Sequence, residues 1–194
     1  NELTFRYVVQ AGDLSSDLDY HATDPFKLNS GTIKDGDGNN VITTLPTAGS
    51  AGSLSSVEAI IIDASPPTIS SVAANAGTKT VTLTMSEAVT GSPANGDFSV
   101  LVGSATNAAT AVSVSGTSVT LTVTNVIAND ATVTVGYTQN STSSSQMKDT
   151  AGNAVATLST AKSVTVTNDA TAPTISSVTS SSTDATYKIG DTVN

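Results

Sequence analysis

Apolar and hydroxyl residues alternate along two neighbouring segments of the chain, residues 119–124 and 132–137. In an extended strand, successive side chains point to opposite faces, so Val119, Leu121 and Val123 share one face and the threonines share the other. This pattern predicts a β-sheet with one buried face and one solvated face. No long stretch has apolar residues at helical spacing, so we predict no helix.

The first third of the chain predicts four further strands, which are separated by acidic or glycine-rich loops. They are expected at residues 1–10, 26–33, 41–45 and 58–62. In the first of these strands, alternation predicts that four apolar side chains point inward, namely Leu3, Phe5, Tyr7 and Val9.

The pattern breaks at Pro66 and Pro67, because two consecutive prolines cannot lie within a central strand. A new series of seven short strands follows. These strands are predicted at residues 68–74, 80–85, 98–102, 111–114, 119–124, 132–137 and 163–166. Several short strands separated by turn residues are typical of a β-sandwich.

Internal repetition divides the chain into units. Residues 63–72 return, with few changes, as residues 169–178, and the turn sequence Lys-Asp-x-x-Gly-Asn occurs at 34–39 and again at 148–153. Such self-similarity is the signature of tandem repeats. We therefore predict an all-β chain in which residues 1–64 are the C-terminal part of one repeat, 65–170 a complete β-sandwich repeat, and 171–194 the N-terminal strands of the next.

The two partial units would each expose an unpaired sheet edge and half of a core, so we expect the natural chain to continue on both sides. A second possibility is that residues 171–194 of one molecule complete residues 1–63 of another by strand addition.

These repeated segments resemble a known family. Residues 8–20, 173–178 and 187–193, together with the Lys-Asp-x-x-Gly-Asn turns, look like bacterial immunoglobulin-like repeats of long, calcium-rich surface proteins and adhesins. The middle unit, with residues 85–89 and 148–153, is similar to the SwmB-like repeat of a cyanobacterial cell-surface motility protein. The resemblance implies tandem immunoglobulin-like sandwiches in an extracellular protein of the bacterial cell surface.

Charge and composition exclude several functions. The formal net charge is −9, and a chain with so few lysines and arginines is poorly suited to bind nucleic acid or to insert into an anionic membrane. No cysteine is available for thiolate catalysis or a zinc site. The single histidine, His21, lies in a polar loop without the partners of a catalytic triad, so we expect no enzyme activity.

Carboxylates at turns and linkers make Ca²⁺ the candidate cofactor, because calcium binds six to eight oxygen ligands. Residues 35–39 begin like an EF-hand loop, but Pro46 stands where the bidentate Glu belongs. The alternative is that these residues only stabilise turns through their own backbone. The candidate metal ligands are Asp17, Asp19, Asp35, Asp37, Asn39, Asp63, Asp149, Asn153 and Asp169.

Two functions fit these predictions. The first is a structural or adhesive segment, a spacer or filament whose partners are neighbouring repeats and, in addition, lateral or end-to-end copies. The second is an immunoglobulin-like module of an adhesin that binds a glycan or a protein through its loops. Phe98 and Tyr137 fall on the apolar phase of their strands, which argues against an exposed aromatic platform.

Overall fold

The computed structural model describes residues 3–21, 26–166, 174–183 and 185–194. The described chain is mainly β, with one single-turn helix, α1 (Leu54–Val57), and two 3₁₀ turns at Asn95–Asp97 and Ser143–Ser145. The strands are β1 (Leu14–Ser15), β2 (Ile62–Asp63), β3 (Ile69–Ala74), β4 (Thr80–Met85), β5 (Phe98–Val102), β6 (Ala105–Thr106), β7 (Ala109–Ser115), β8 (Ser118–Val123), β9 (Thr132–Tyr137) and β10 (Lys162–Thr165).

Two four-stranded antiparallel sheets form a sandwich, with strand orders β3-β4-β8-β7 and β10-β9-β5-β6. Leu83 pairs with Val119 and Val81 with Leu121, so their side chains share the face that is turned to the other sheet. The second sheet contributes Val100, Val133 and Val135, which are fully buried in the same core cluster. The predicted all-β sandwich is confirmed.

The seven strands predicted for the middle unit are all present, three with the predicted ends and four with ends that differ by one or two residues. The two strands with the clearest alternation also have the clearest burial: Val119 and Leu121 are fully buried, whereas Thr122 is exposed. Sequence reasoning missed β1, β6, the α-helical turn and the 3₁₀ turns, because two to four residues are too few to show a period.

The chain enters and leaves the sandwich at opposite ends. Ile69 of β3 pairs with Met85 of β4 at one end, which we call the entry end and which follows directly on the linker from β2. Thr165 of β10 pairs with Thr132 of β9 at the other end, where the main-chain N–H of Val166 donates to the carbonyl of Ala131.

The strands predicted for the first third are mostly wrong. Residues 3–10, 26–33 and 41–45 form no strand, and the last predicted strand is reduced to β2, which pairs with the two-residue β1. Leu3, Phe5, Tyr7 and Val9 are exposed rather than inward. Alternation fixes which face a strand could bury, but these residues have no partner sheet among the described residues.

Candidate metal centre

Three carboxylates meet at the entry end of the sandwich. Asp63 ends β2, Glu87 follows β4, and Asp149 lies in the turn 148–153. One oxygen from each lies within 4.8 Å of the others, and the Asp149 side chain is buried. Among the described residues, this is the one group of three His, Cys, Asp or Glu side chains with such spacing.

Asn153 orients the Asp149 carboxylate. The main-chain N–H of Asn153 donates to Oδ1 of Asp149 at 2.8 Å, and its side-chain Nδ2 donates to Oδ2 at 2.8 Å. The turn is closed by a bond from the N–H of Asp149 to the carbonyl of Asn153, at 3.1 Å. Each carboxylate oxygen can accept more than one bond, so Asp149 keeps the capacity to bind a cation.

The same asparagine ties the turn to the linker. Nδ2 of Asn153 also donates to the main-chain carbonyl of Asp63 at 2.9 Å, across 90 positions of sequence. The Asp63 carboxylate accepts the main-chain N–H of Ser65 at 3.1 Å. Asn153 therefore joins the linker that enters the sandwich to the last turn of that same sandwich.

Glu87 reaches this cluster because β3 and β4 are antiparallel. The end of β4 must lie beside the start of β3, and the N–H of Ser86 donates to the carbonyl of Thr68 at 2.8 Å. An acidic residue two positions after the end of β4 is therefore placed against the linker. Sequence reasoning did not include Glu87 among the ligands, although this hairpin geometry could have identified it.

Three acidic side chains lie close together in this cluster. Burial raises the pKa of Glu87, and the nearby charges of Asp63 and Asp149 raise it further. Within the described part of the chain, these three carboxylates form no ion pair; the ammonium of Lys148 instead donates to Oγ of Ser143 at 2.6 Å. A bound divalent cation would remove the repulsion between the three carboxylates.

The equivalent turn in the first third has the same hydrogen bonds but different surroundings. The N–H and Nδ2 of Asn39 donate to the two oxygens of Asp35, each at 2.8 Å. Both bonds hold the pKa of Asp35 below its ordinary value, and the side-chain bond from Nδ2 has the larger effect. Asp35, Asp37 and Asn39 are exposed, and no group of three acidic side chains forms around them in the described chain.

The remaining candidate ligands are not brought to the cluster. Burial opposes ionisation of Asp19, but hydrogen bonds from Ser55 and Gly49 hold its pKa well below the ordinary value. Asp19 thus secures the loop 49–55. Asp17 joins no group of three acidic side chains among the described residues, and Asp169 lies outside the described residues.

Residues 90–142 match the profile of the SWM repeat, a family described as a putative flagellar system-associated repeat. This match spans β5 to β9, which is less than half of the chain. It agrees with the expected class of bacterial surface repeat, whereas the immunoglobulin-like and SwmB-like assignments stay predictions. No curated protein matches the chain.

Solved structures of a bacterial surface-layer protein are similar to part of the chain. The N-terminal part of the S-layer protein SbsC matches with 23% identity and a TM-score of 0.43, over 52% of this chain and 23% of that one. A structure of domains 1–6 of the surface layer protein SbsC matches with 23% identity and a TM-score of 0.43, over 52% of this chain and 14% of that one. Among the described helices, none is long and apolar enough to cross a membrane.

Proposed function

We propose that this chain is a segment of a structural protein of the bacterial cell surface, in which β-sandwich repeats follow one another and Ca²⁺ at each junction stiffens the array. The observation that carries the proposal is the position of the carboxylate cluster. Asp63 belongs to the linker that enters the sandwich, whereas Glu87 and Asp149 belong to the sandwich itself. A cation held by all three would fix the linker to the unit that it precedes.

Three further observations support this reading. The linker sequence of 63–72 recurs at 169–178, so the proposed division at 64/65 and 170/171 would place an equivalent aspartate, Asp169, at the next junction. The chain enters and leaves the sandwich at opposite ends, which suits units placed end to end. The partial match to a flagellar system-associated repeat and the likeness to a surface-layer protein fit an extracellular location.

The cluster has the chemistry that calcium requires. Three carboxylates supply hard oxygen ligands, which calcium prefers, and main-chain carbonyls or water would complete the six to eight that it takes. Asp63, Glu87 and Asp149 would hold the ion, while Asn153 positions two of them. The ion's function is to neutralise the repulsion and to reduce the freedom of the linker.

A calcium titration of thermal unfolding tests the proposal. A ligand at 100 times its Kd stabilises the folded state by about 2.7 kcal/mol, and 1 kcal/mol shifts the Tm of a unit of this size by about 4–8 °C. We therefore expect calcium to raise the Tm of the wild type by roughly 10–20 °C, and E87Q to lose most of this increase. The control is E58Q, which neutralises an exposed glutamate outside the cluster and should respond like the wild type.

Small-angle X-ray scattering of the same chain tests the stiffening itself. Calcium should narrow the distribution of interatomic distances between residues 3–64 and the sandwich, and chelator should broaden it again. A wild type whose melting and scattering are both unchanged by calcium would refute the calcium part and leave the structural part standing.

The second candidate, a glycan- or protein-binding module, receives no such support from the sandwich. Phe98 and Tyr137 are buried, with ring centroids 5.2 Å apart, so their faces are not available for stacking on a sugar. Reproducible binding to one sugar class on a glycan array would favour this candidate over the first.

A further inference from the structure

The two sheets of the sandwich have four edge strands, and three of them are protected against pairing with another chain. The strand β6 has only two residues, and β10 begins with Lys162 and lies against β3. The strand β3 follows Pro66 and Pro67 and has an irregular register between Ile69 and Ser71. Short strands, lysines, prolines and bulges are the usual devices that prevent edge-to-edge association.

The fourth edge strand, β7, lacks these devices over most of its length. It has seven residues without a charge or a proline. Its first part is covered, because Nδ2 of Asn95 donates to the carbonyl of Thr110 at 2.7 Å, and its register shift lies between Ala109 and Ala111. Residues 111–115 are regular, and no strand of the described chain pairs with their outer edge.

The turn that follows β7 determines which main-chain groups face outward. Ser115 and Ser118 close a two-residue hairpin with Gly116 at φ +56°, and the closing pair of such a hairpin is hydrogen-bonded. Hydrogen-bonded and non-hydrogen-bonded pairs alternate along an antiparallel ladder. Ser113 and Ser115 therefore direct their N–H and C=O groups at β8, while Val112 and Val114 direct theirs away from the sheet.

We propose that β7 is a self-association edge, which pairs antiparallel with β7 of a second copy about a two-fold axis at Ser113. Residues 111–115, Ala-Val-Ser-Val-Ser, read almost identically in both directions. In this register Val112 lies opposite Val114 of the second copy, and the outward N–H and C=O groups of both valines are satisfied by four inter-chain hydrogen bonds. Such an isologous contact requires a self-complementary surface, which this segment provides.

Charge favours this edge over the rest of the surface. Two copies that each carry a formal charge of −9 repel one another, but β7 and its partner β8 contain no charged residue. The contact is small compared with the ~1,200 Å² of stable interfaces, so single units associate weakly and several units in register associate much more strongly. This inference goes beyond the proposed function and does not depend on calcium.

Disulfide trapping tests both the edge and its register, because the chain has no cysteine of its own. Opposite residues of a non-hydrogen-bonded antiparallel pair have Cα atoms about 4.5 Å apart, which suits a disulfide. S113C should therefore form a covalent dimer under mild oxidation. In S115C the two introduced cysteines would be about 13 Å apart, four residues out of register, so its dimer should form at least ten times more slowly.

A mixture supplies the second arm of the experiment. The register places Ala111 opposite Ser115 of the second copy, so A111C and S115C should cross-link to each other faster than either does to itself. Circular dichroism of each variant verifies that the sandwich is folded. Equal rates for S113C and S115C, or no trapped dimer with S113C, would overturn the proposal.

Discussion

Replacing Asn153 with alanine tests the tie between the linker and the last turn of the sandwich. The change removes two side-chain hydrogen bonds, to Oδ2 of Asp149 and to the carbonyl of Asp63. A hydrogen bond to a charged group contributes about 1.5–3 kcal/mol and a neutral one about 0.5–1.5 kcal/mol. Because the Asp149 side chain is buried and water cannot fully replace the lost donor, we expect N153A to lower the free energy of unfolding by roughly 2–4 kcal/mol.

The assay is urea unfolding in chelator, which separates the hydrogen bonds from any metal. The control within the same unit is N95A, which removes one neutral hydrogen bond, to the carbonyl of Thr110, and should cost about 0.5–1.5 kcal/mol. A second control is N39A, which breaks the equivalent but exposed turn and should destabilise less than N153A, because water can replace the lost donor there.

Equal decreases in the free energy of unfolding for N153A and N95A would refute the reasoning. They would mean that the bonds of Asn153 to the buried carboxylate and to the linker stabilise the fold no more than one neutral hydrogen bond does. In contrast, N153D should be more destabilising than N153A at neutral pH, because it adds a fourth carboxylate beside Asp63 and Asp149.

Three other predictions follow from the core, the cluster and the glycines. Leu121 is fully buried between the sheets, so L121A should cost about 2–5 kcal/mol in urea unfolding. Because the pKa of Glu87 is raised, the folded state binds its proton more tightly than the unfolded chain does; in chelator, stability should fall as pH rises above about 4.5, and in E87Q this fall should be smaller. G91A should destabilise more than G116A in thermal melts. Both glycines have positive φ, but an added Cβ at Gly91 would clash with the main-chain carbonyl oxygen of Gln146, whereas a Cβ at Gly116 would meet no atom within 4 Å.

The sandwich could be predicted from sequence because its strands alternate clearly and because neighbouring strands share the same alternation. Val119, Leu121 and Val123 alternate with hydroxyl residues, and neighbouring strands with the same pattern supply the partner surface. The segment 3–10 has an equally clear alternation, but Phe5 and Tyr7 remain exposed because no described strand pairs with it. An alternating pattern indicates which face of a strand would be buried, but the strand forms only where a neighbouring strand pairs with it.

The candidate site was predictable only in part, because some of its residues lie in repeated motifs and one is placed there only by strand pairing. The repeated turn and linker motifs identified Asp63, Asp149 and Asn153, and the structure brings these three together. Glu87 carries no repeat signal of the same strength, and its position in the cluster depends on the antiparallel pairing of β3 with β4. The acidic loop of Asp17 and Asp19 was also a candidate in sequence, but in the described chain neither residue joins a group of three acidic side chains. Asp19 instead holds the loop 49–55, because the N–H of Gly49 and the hydroxyl of Ser55 both donate to its Oδ2.

The opposite placement of entry and exit determines how the sandwich would respond to tension. A pull on the two chain ends draws the start of β3 and the end of β10 in opposite directions along their own strand axes. Hydrogen bonds in an antiparallel ladder lie perpendicular to the strands, so all the bonds between β3 and β4, and between β10 and β9, resist the sliding at once. The unit is loaded in shear instead of being unzipped one bond at a time, which is the mechanically resistant geometry for a β-sheet protein under load.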